Sequence, residues 1–415
     1  MDSSAGGTRL PSLDIVRGVA VLGILLLNIL SFAMPEAAYV NPRAYGGWHG
    51  ADLVTWAVNF VLFDGRMRGL FSFLFGASTL LVIERAEASG RSPAEVHYRR
   101  MAWLLVFGIA HLFLVWHGDI LAHYALIGMI AFAMRDLPVS RLLVLGTMLA
   151  LASAVVFATI PLSIVQLQAE FPNSATLHGY AQSFGVPALA DIAKDLALHR
   201  GGYGPILTDR LQNDSGTLVG LFVFFGPETL GYMLFGMAAL RGGMLRGAWT
   251  RGRYLRWLLV CWAISLPAYV ALAWWQLASG FDMRVVAAML PLTALARPPM
   301  IIGWICLVLL LARPGGWLTA RLAAAGRMAF TNYLATSLIC TTLFYGYGLG
   351  WYGHLSRWQL YPVVFGIWAL MLIWSSLWLG AFRFGPFEWL WRSLARWELQ
   401  PLRKPHLRNN ATASQ

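Results

Sequence analysis

Arg9-Leu-Pro-Ser-Leu-Asp-Ile-Val-Arg-Gly18 runs straight into an apolar stretch over residues 19–34. Reading this junction decides the fold. The apolar run is long enough to span a bilayer as a helix. On that helix Asp14, Arg17 and Asn28 are spaced by 3 and 11 residues, about one and three turns, and so share a face. Hydrocarbon does not accept such a face, so it must look into protein or a wet cavity. A plainer alternative treats Asp14 as an N-cap and Arg17 as a side chain snorkelling to the interface.

The rest of the chain repeats the apolar theme. Of 415 residues, 58% are hydrophobic and 12% charged, and 19 are Trp. This composition points to a polytopic membrane protein rather than a soluble domain. The net charge of +12 does not point to nucleic acid, because the arginines lie in short loops between apolar segments. Cys261, Cys306 and Cys340 sit inside apolar stretches, without metal or disulfide spacing. No cleaved signal peptide is expected, since the first apolar segment exceeds an ordinary h-region and carries polar residues.

The expected fold is all-α, a polytopic helical bundle of about ten transmembrane helices with both termini cytoplasmic. The spans fall near 16–34, 68–84, 101–116, 119–134, 142–162, 216–240, 257–278, 285–312, 328–347 and 361–382. Orientation follows from arginines in the connections: Arg85, Arg91, Arg99 and Arg100; Arg135 and Arg141; Arg241 to Arg256; Arg313, Arg321 and Arg327; and a tail with Arg392, Arg396, Arg403, Lys404 and Arg408. Ten spans put all of these on the cytoplasmic side. Residues 52–63 are too short to span comfortably and read as an interfacial or re-entrant helix. Three regions result: an N-terminal membrane half (1–162), an external loop (163–215) and a C-terminal membrane half with its tail (216–415). The loop reads equally as a cap over an external opening or as a solvated connector.

Chemistry-bearing residues cluster next in His111-Leu-Phe-Leu-Val-Trp-His117-Gly-Asp119-Ile-Leu-Ala-His123. His117-Gly118 makes a tight turn between spans, which brings His111 and His123 to similar depth. Asp119 and His123 are i, i+4 on one face, where a carboxylate orients an imidazole as a base. An interfacial hairpin that merely tolerates histidine is the plain alternative. The spacing matches no zinc signature, and no metal is predicted. Arg43, His49, Asp52, Asp64, Arg66 and Arg68 converge on the same outer opening or simply pair with one another. Deeper in the membrane, Glu228 follows Pro227 and Arg297 precedes Pro298-Pro299. An unpaired charge there is costly, so the two are expected to pair or to line one cavity.

Five ordered motifs also carry a resemblance. Leu13-Asp-Ile-Val-Arg-Gly-Val-Ala-Val-Leu-Gly-Ile-Leu-Leu-Leu-Asn-Ile29, Gly65-Arg-Met-Arg-Gly-Leu-Phe-Ser-Phe-Leu-Phe-Gly76, His111 with Gly118-Asp-Ile-Leu121, Gly326-Arg-Met-Ala-Phe-Thr-Asn-Tyr-Leu334 and Gly385-Pro-Phe-Glu-Trp-Leu-Trp-Arg392 resemble the YeiB-type bacterial membrane protein family over almost the whole chain. The N-terminal part also resembles the heparan-α-glucosaminide N-acetyltransferase group of transmembrane acyltransferases. Asp14, Arg17, Gly18 and Asn28 match that group's Asp-x-x-Arg-Gly pattern and asparagine. The group's acetyl-transfer histidine follows its first span. Here the aligned stretch carries only His49, shifted from the expected place, so His111 is preferred and His49 comes second.

The resemblance implies an enzyme of the bacterial cytoplasmic membrane. It would take cytoplasmic acyl-CoA, acetyl-CoA in particular, at Asp14 and Arg17. It would move the acyl group to a glycan or lipid-linked acceptor on the outer side. His111, Asp119, Asn28 and His49 are the catalytic candidates, with Asn28 as oxyanion donor. His117, His123, Arg66, Arg68, Glu228 and Arg297 line the pathway. The alternative is a secondary transporter for a small metabolite or lipid that uses Glu228, Arg297 and the Pro-broken helices.

Overall fold

Pro11 sits where a helix tolerates a missing N–H, and α1 (Pro11–Ala33) starts there. The computed structural model describes residues 10–404, apart from the side chain of Ser215. The expectations for Arg9, Arg408 and the chain ends lie outside these residues. The N-terminal half continues with α2 (Ala37–Val40), α3 (Gly50–Leu62), α4 (Arg66–Ala88), α5 (Pro93–Leu114), α6 (Leu121–Ala131) and α7 (Val139–Glu170). The middle carries α8 (Ala175–Phe184), α9 (Leu189–His199) and α10 (Tyr203–Asn213). Then come α11 (Thr217–Arg241), α12 (Arg251–Ala278), α13 (Met283–Leu311), α14 (Trp317–Arg327), α15 (Ala329–Phe344), α16 (Leu360–Ala381) and α17 (Pro386–Arg396). The described residues form an all-α bundle with no strand beyond a lone Phe382–Arg403 bridge.

Among the described residues seven segments are long and apolar enough to cross a membrane, with α3 and α4 counted together. The expected spans at 119–134 and 328–347 are shorter, at Leu121–Met134 and Ala329–Phe344. Each is cut by local chemistry. Asp119 caps the start of α6 from outside the helix, and the chain breaks at Met328 between α14 and α15. The span at 101–116 covers the C-terminal part of α5, which ends at Leu114 and is not among the seven; its first turns carry Glu95, His97, Arg99 and Arg100.

Burial sorts the helices into an inner and an outer set. The most apolar window of α1 is 78% buried, against 28% for α12 and for α16. Helix α1 is therefore the axis of the bundle, and α12 and α16 are part of its rim. The rim shows Leu, Val, Ile and Trp outward, as lipid requires. Two glycine contacts bring backbones together. A Cβ at Gly18 would overlap the Leu322 carbonyl, and one at Gly326 would overlap the Asp14 carbonyl, locking α1 against α14. Gly76 and Gly236 make the same reciprocal contact between α4 and α11.

The 163–215 region is not an open loop. Helix α7 carries on to Glu170, and α8, α9 and α10 follow. Ile206 and Arg210 of α10 are buried, and Tyr203 donates a hydrogen bond to the Leu114 carbonyl (2.8 Å) at the end of α5. The segment thus packs against the end of the bundle that α5 reaches at His111.

Candidate functional site

Arginines from five helices and one connection gather at one end of the bundle. Arg17 of α1, Arg85 of α4, Arg100 of α5, Arg327 of α14, Arg383 after α16 and Arg392 of α17 line a cavity of about 460 Å³. Its two acids are Asp14 and Glu388. Asp14 faces Arg17 at 3.3 Å, and Arg17 also donates to Ser78 Oγ at 2.7 Å. Asp14 is not the N-cap residue of α1, a position held by Leu10. Glu388 is committed to α15, where it accepts hydrogen bonds from the Phe330 and Thr331 amides at 2.8 and 3.1 Å.

Among the described residues Arg85, Arg100, Arg383 and Arg392 make no ion pair. Burial, with Arg396 beside it, pushes the Arg392 guanidinium down to about 10. Such a mouth favours a polyanion. Away from the arginines the wall turns apolar, through Phe71, Leu74, Phe75, Met101 and Leu104, and reaches Leu121, Tyr124 and Tyr333.

Tyr333 separates this cavity from an oriented histidine. His111 Nδ1 lies 2.9 Å from Asp119 Oδ1, and both side chains are buried. The other oxygen, Asp119 Oδ2, accepts from the Ala122 amide at 2.9 Å. The carboxylate is thus held at both ends and fixes the imidazole orientation. His111 Nε2 is buried without a hydrogen-bond partner. The His111 ring packs 5.3 Å from that of Tyr333, centroid to centroid. Tyr333 Oη accepts a long hydrogen bond from the Ile120 amide (3.4 Å), which leaves its own proton free to donate. From Arg100 to His111 is eleven residues of α5, about 16 Å along the axis.

The expected Asp119–His123 pairing is not formed. Asp119 precedes α6, so the i, i+4 geometry does not apply, and its carboxylate turns back to His111. His123 instead meets Thr229 Oγ1 of α11 at 2.9 Å. His111 and His123 therefore do not face one another.

Glu228 and Arg297 do meet. Arg297 Nη1 donates to Glu228 Oε1, Arg68 Nη2 lies 2.5 Å from Glu228 Oε2, and Tyr232 donates to the same carboxylate at 3.1 Å. Arg297 Nη2 reaches Thr293 Oγ1 at 2.9 Å. Arg66, expected outside, is 1% exposed and lies with its guanidinium carbon 3.3 Å from the centre of the Tyr269 ring. It is drawn in because α4 starts well inside the bundle, where the Phe60 and Asp64 carbonyls accept from Arg66 Nη1.

Several expected site residues stand apart. His49 is exposed at the N-cap of α3, its ring tilted against that of Trp48 with centroids 3.9 Å apart. Arg43 donates to the Gly280 carbonyl and Asp52 accepts from the Trp358 amide, so the outer charges do not converge on one opening. Asn28 lies on α1 but does not line the basic cavity. His117 sits in the α5–α6 turn against Trp116, beyond the cavity. Sequence reasoning missed Tyr333 and the gathering of Arg85, Arg100, Arg327, Arg383 and Arg392. Their signal was present in the Gly326-Arg and Gly385-Pro-Phe-Glu-Trp-Leu-Trp-Arg motifs, which bracket the mouth.

Comparison with known proteins gives relatives along nearly the whole chain. A family profile described as "Protein of unknown function (DUF418)" matches residues 239–398. The chain is 35% identical to "Uncharacterized protein YeiB" of Escherichia coli (strain K12) over 396 residues, covering 92% of this chain and 95% of the relative. It is 31% identical to "Uncharacterized protein YxaH" of Bacillus subtilis (strain 168), covering 95% and 96%. No solved structure matches it. Motifs, apolar helices and end-to-end similarity agree: the chain belongs to the YeiB-type family of bacterial membrane proteins.

Proposed function

We propose that this protein is a multi-pass enzyme of the bacterial cytoplasmic membrane, an acyl-CoA-dependent O- or N-acyltransferase. It takes an acyl group from cytoplasmic acyl-CoA, acetyl-CoA in particular, to a glycan or lipid-linked acceptor on the outer side. The observation that carries this reading is the six-arginine cavity whose apolar end is closed by Tyr333, with the Asp119-oriented His111 behind it.

The chemistry is balanced. Phosphates of the donor sit among Arg17, Arg85, Arg100 and Arg392, and its acyl arm follows the apolar wall. Tyr333 turns aside to admit the thioester. His111 Nε2 removes the proton from the acceptor hydroxyl or amine as that atom attacks the thioester carbonyl. The Tyr333 hydroxyl donates to the oxyanion. The intermediate collapses, the C–S bond breaks, and the CoA thiolate leaves with the proton from the imidazolium. Asp119 holds the imidazole throughout.

The test is transfer of label from radioactive acetyl-CoA in membrane vesicles overproducing the protein, with its basic face accessible. Label is expected in the lipid or glycan fraction, together with free CoA, and both are lost with His111→Ala. Absence of transfer and of CoA release in wild-type vesicles overturns the reading. The Arg68–Glu228–Arg297 cluster, with Glu228 and Arg297 buried beside Pro227 and Pro298, favours a second reading, a secondary transporter. That reading predicts uptake into proteoliposomes that is abolished by Glu228→Gln and indifferent to His111→Ala.

A further inference from the structure

A second unmet polar region lies at the opposite end of the bundle from the arginine-rich cavity. Its centre is Arg210 of α10, 3% exposed, with neither Nη1 nor Nη2 hydrogen-bonded. The guanidinium carbon lies 5.9 Å from the centre of the Tyr345 ring, and the buried Tyr345 hydroxyl, which completes no well-formed hydrogen bond, has Arg210 as its polar neighbour. Trp116 belongs to the same packed cluster as Ile206, Tyr345 and Tyr352, and its Nε1 is unpartnered too. Trp116 stands 6.4 Å from His111, whose Nε2 is the next orphan. Buried polar atoms without hydrogen bonds thus occur on Arg210, on Tyr345 and Trp116 of one packed cluster, and on His111 beside Trp116.

Neighbouring groups do not satisfy Arg210. Asp195 is already taken, with His199 Nδ1 at 2.7 Å and the Tyr352 hydroxyl at 3.0 Å. Asp209 accepts from Asn213 at 2.8 Å. Asp214 is near enough to feel Arg210 but does not reach its nitrogens. A buried guanidinium with both terminal nitrogens unmet is costly unless something with two oxygens fills the fork. One orphan is tolerable in any fold. A buried fork with both terminal nitrogens unmet, beside an unmet tyrosine hydroxyl, calls for a polar occupant.

We infer that Arg210, assisted by Tyr345, is a recognition site for an oxyanion, a carboxylate or phosphate, carried by the acceptor. The fork of Nη1 and Nη2 takes two oxygens, with the Tyr345 ring beside it. The acceptor is thereby anchored at its charged end, with its hydroxyl or amine directed toward His111. Assigning the anion to the acceptor rests on the acyltransferase reading. Binding of an oxyanion at Arg210 does not.

The experiment uses the full chain in nanodiscs and reads binding by thermal stabilisation and calorimetry. In phosphatidylcholine discs the probes are glucuronate, glucose 6-phosphate and, as neutral control, glucose. A second arm replaces the lipid with phosphatidylglycerol and omits soluble anions. The expected result is stabilisation by at least one anionic probe or by the anionic lipid, with none from glucose. Arg210→Gln weakens it about tenfold or more, while Arg210→Lys and Tyr345→Phe keep part of it. The arm that responds tells a soluble acceptor from a lipid headgroup. If no anion stabilises wild type beyond matched chloride, or if Arg210→Lys and Arg210→Gln bind as wild type does, the inference fails. Acetyl-CoA binding is measured on the same samples and is expected to survive Arg210→Gln. Loss of acetyl-CoA binding in wild type with anion binding intact would overturn the acyltransferase reading alone.

Discussion

Asp119 shows how one carboxylate can both build a helix and set up a base. It caps α6 through the Ala122 amide and fixes His111 through Nδ1. Asp119→Asn keeps the size and one acceptor but removes the charge that orients and stabilises the imidazolium. Transfer is expected to fall by about 10²-fold or more with the fold retained, and initial rates of CoA release alongside a thermal melt check both. Glu228 behaves differently. It is 1% exposed and serves Arg68 and Arg297 together. Glu228→Gln leaves two cations without their shared partner, at a cost of about 3 kcal/mol, read as a lowered melting temperature in detergent. The Glu228–Arg297 contact was legible because a charge in an apolar run has few alternatives. The partner of His111 was not. The i, i+4 rule assumes that both residues lie on one helix, and Asp119 lies just before α6.

At the scale of elements, the basic cavity depends on how closely α1 and α14 approach. Gly326 allows the Asp14 carbonyl to sit where a side chain would be, and Arg17 and Arg327 flank that crossing. Gly326→Ala is expected to push the helices apart, destabilise the protein by about 1–3 kcal/mol and weaken acyl-CoA binding, measured by melting and by calorimetry. Replacing Gly216, at the N-cap of α11 with open space around it, is the control that should do little. The apolar helices were readable from hydropathy, because a membrane solvent leaves few other solutions. Helix α14 was not, since Arg321 and Arg327 within an alanine-rich segment read as loop charge. The same held for α8, α9 and α10, whose mixed polarity gives no long period. Of the three, α10 buries Ile206 and Arg210, α8 buries Leu177, and α9 buries no residue.

At the scale of the whole molecule, charge and polarity divide the bundle between two ends. One end gathers arginines from α1, α4, α5, α14 and α17 around a cavity. At the other, Tyr203 of α10 meets the Leu114 end of α5, and Arg200 after α9 donates to the Tyr352 carbonyl. Loop arginines had one sequence-level explanation, membrane orientation, and nothing in their spacing showed that Arg85, Arg100, Arg383 and Arg392 face one space. Only tertiary packing brings them together. The stripe of α1 is correspondingly shorter than its spacing suggests. Asp14 and Arg17 belong to the cavity, and Asn28 does not. The central claim is that this cavity holds the phosphate-bearing part of an acyl-CoA. Titration calorimetry of acetyl-CoA into the purified protein tests it most directly, with wild type beside Arg85→Gln/Arg392→Gln. The account predicts saturable binding to wild type that weakens about tenfold or more in the double variant. Wild-type protein that folds and binds no acetyl-CoA, or a double variant that binds equally well, would contradict it.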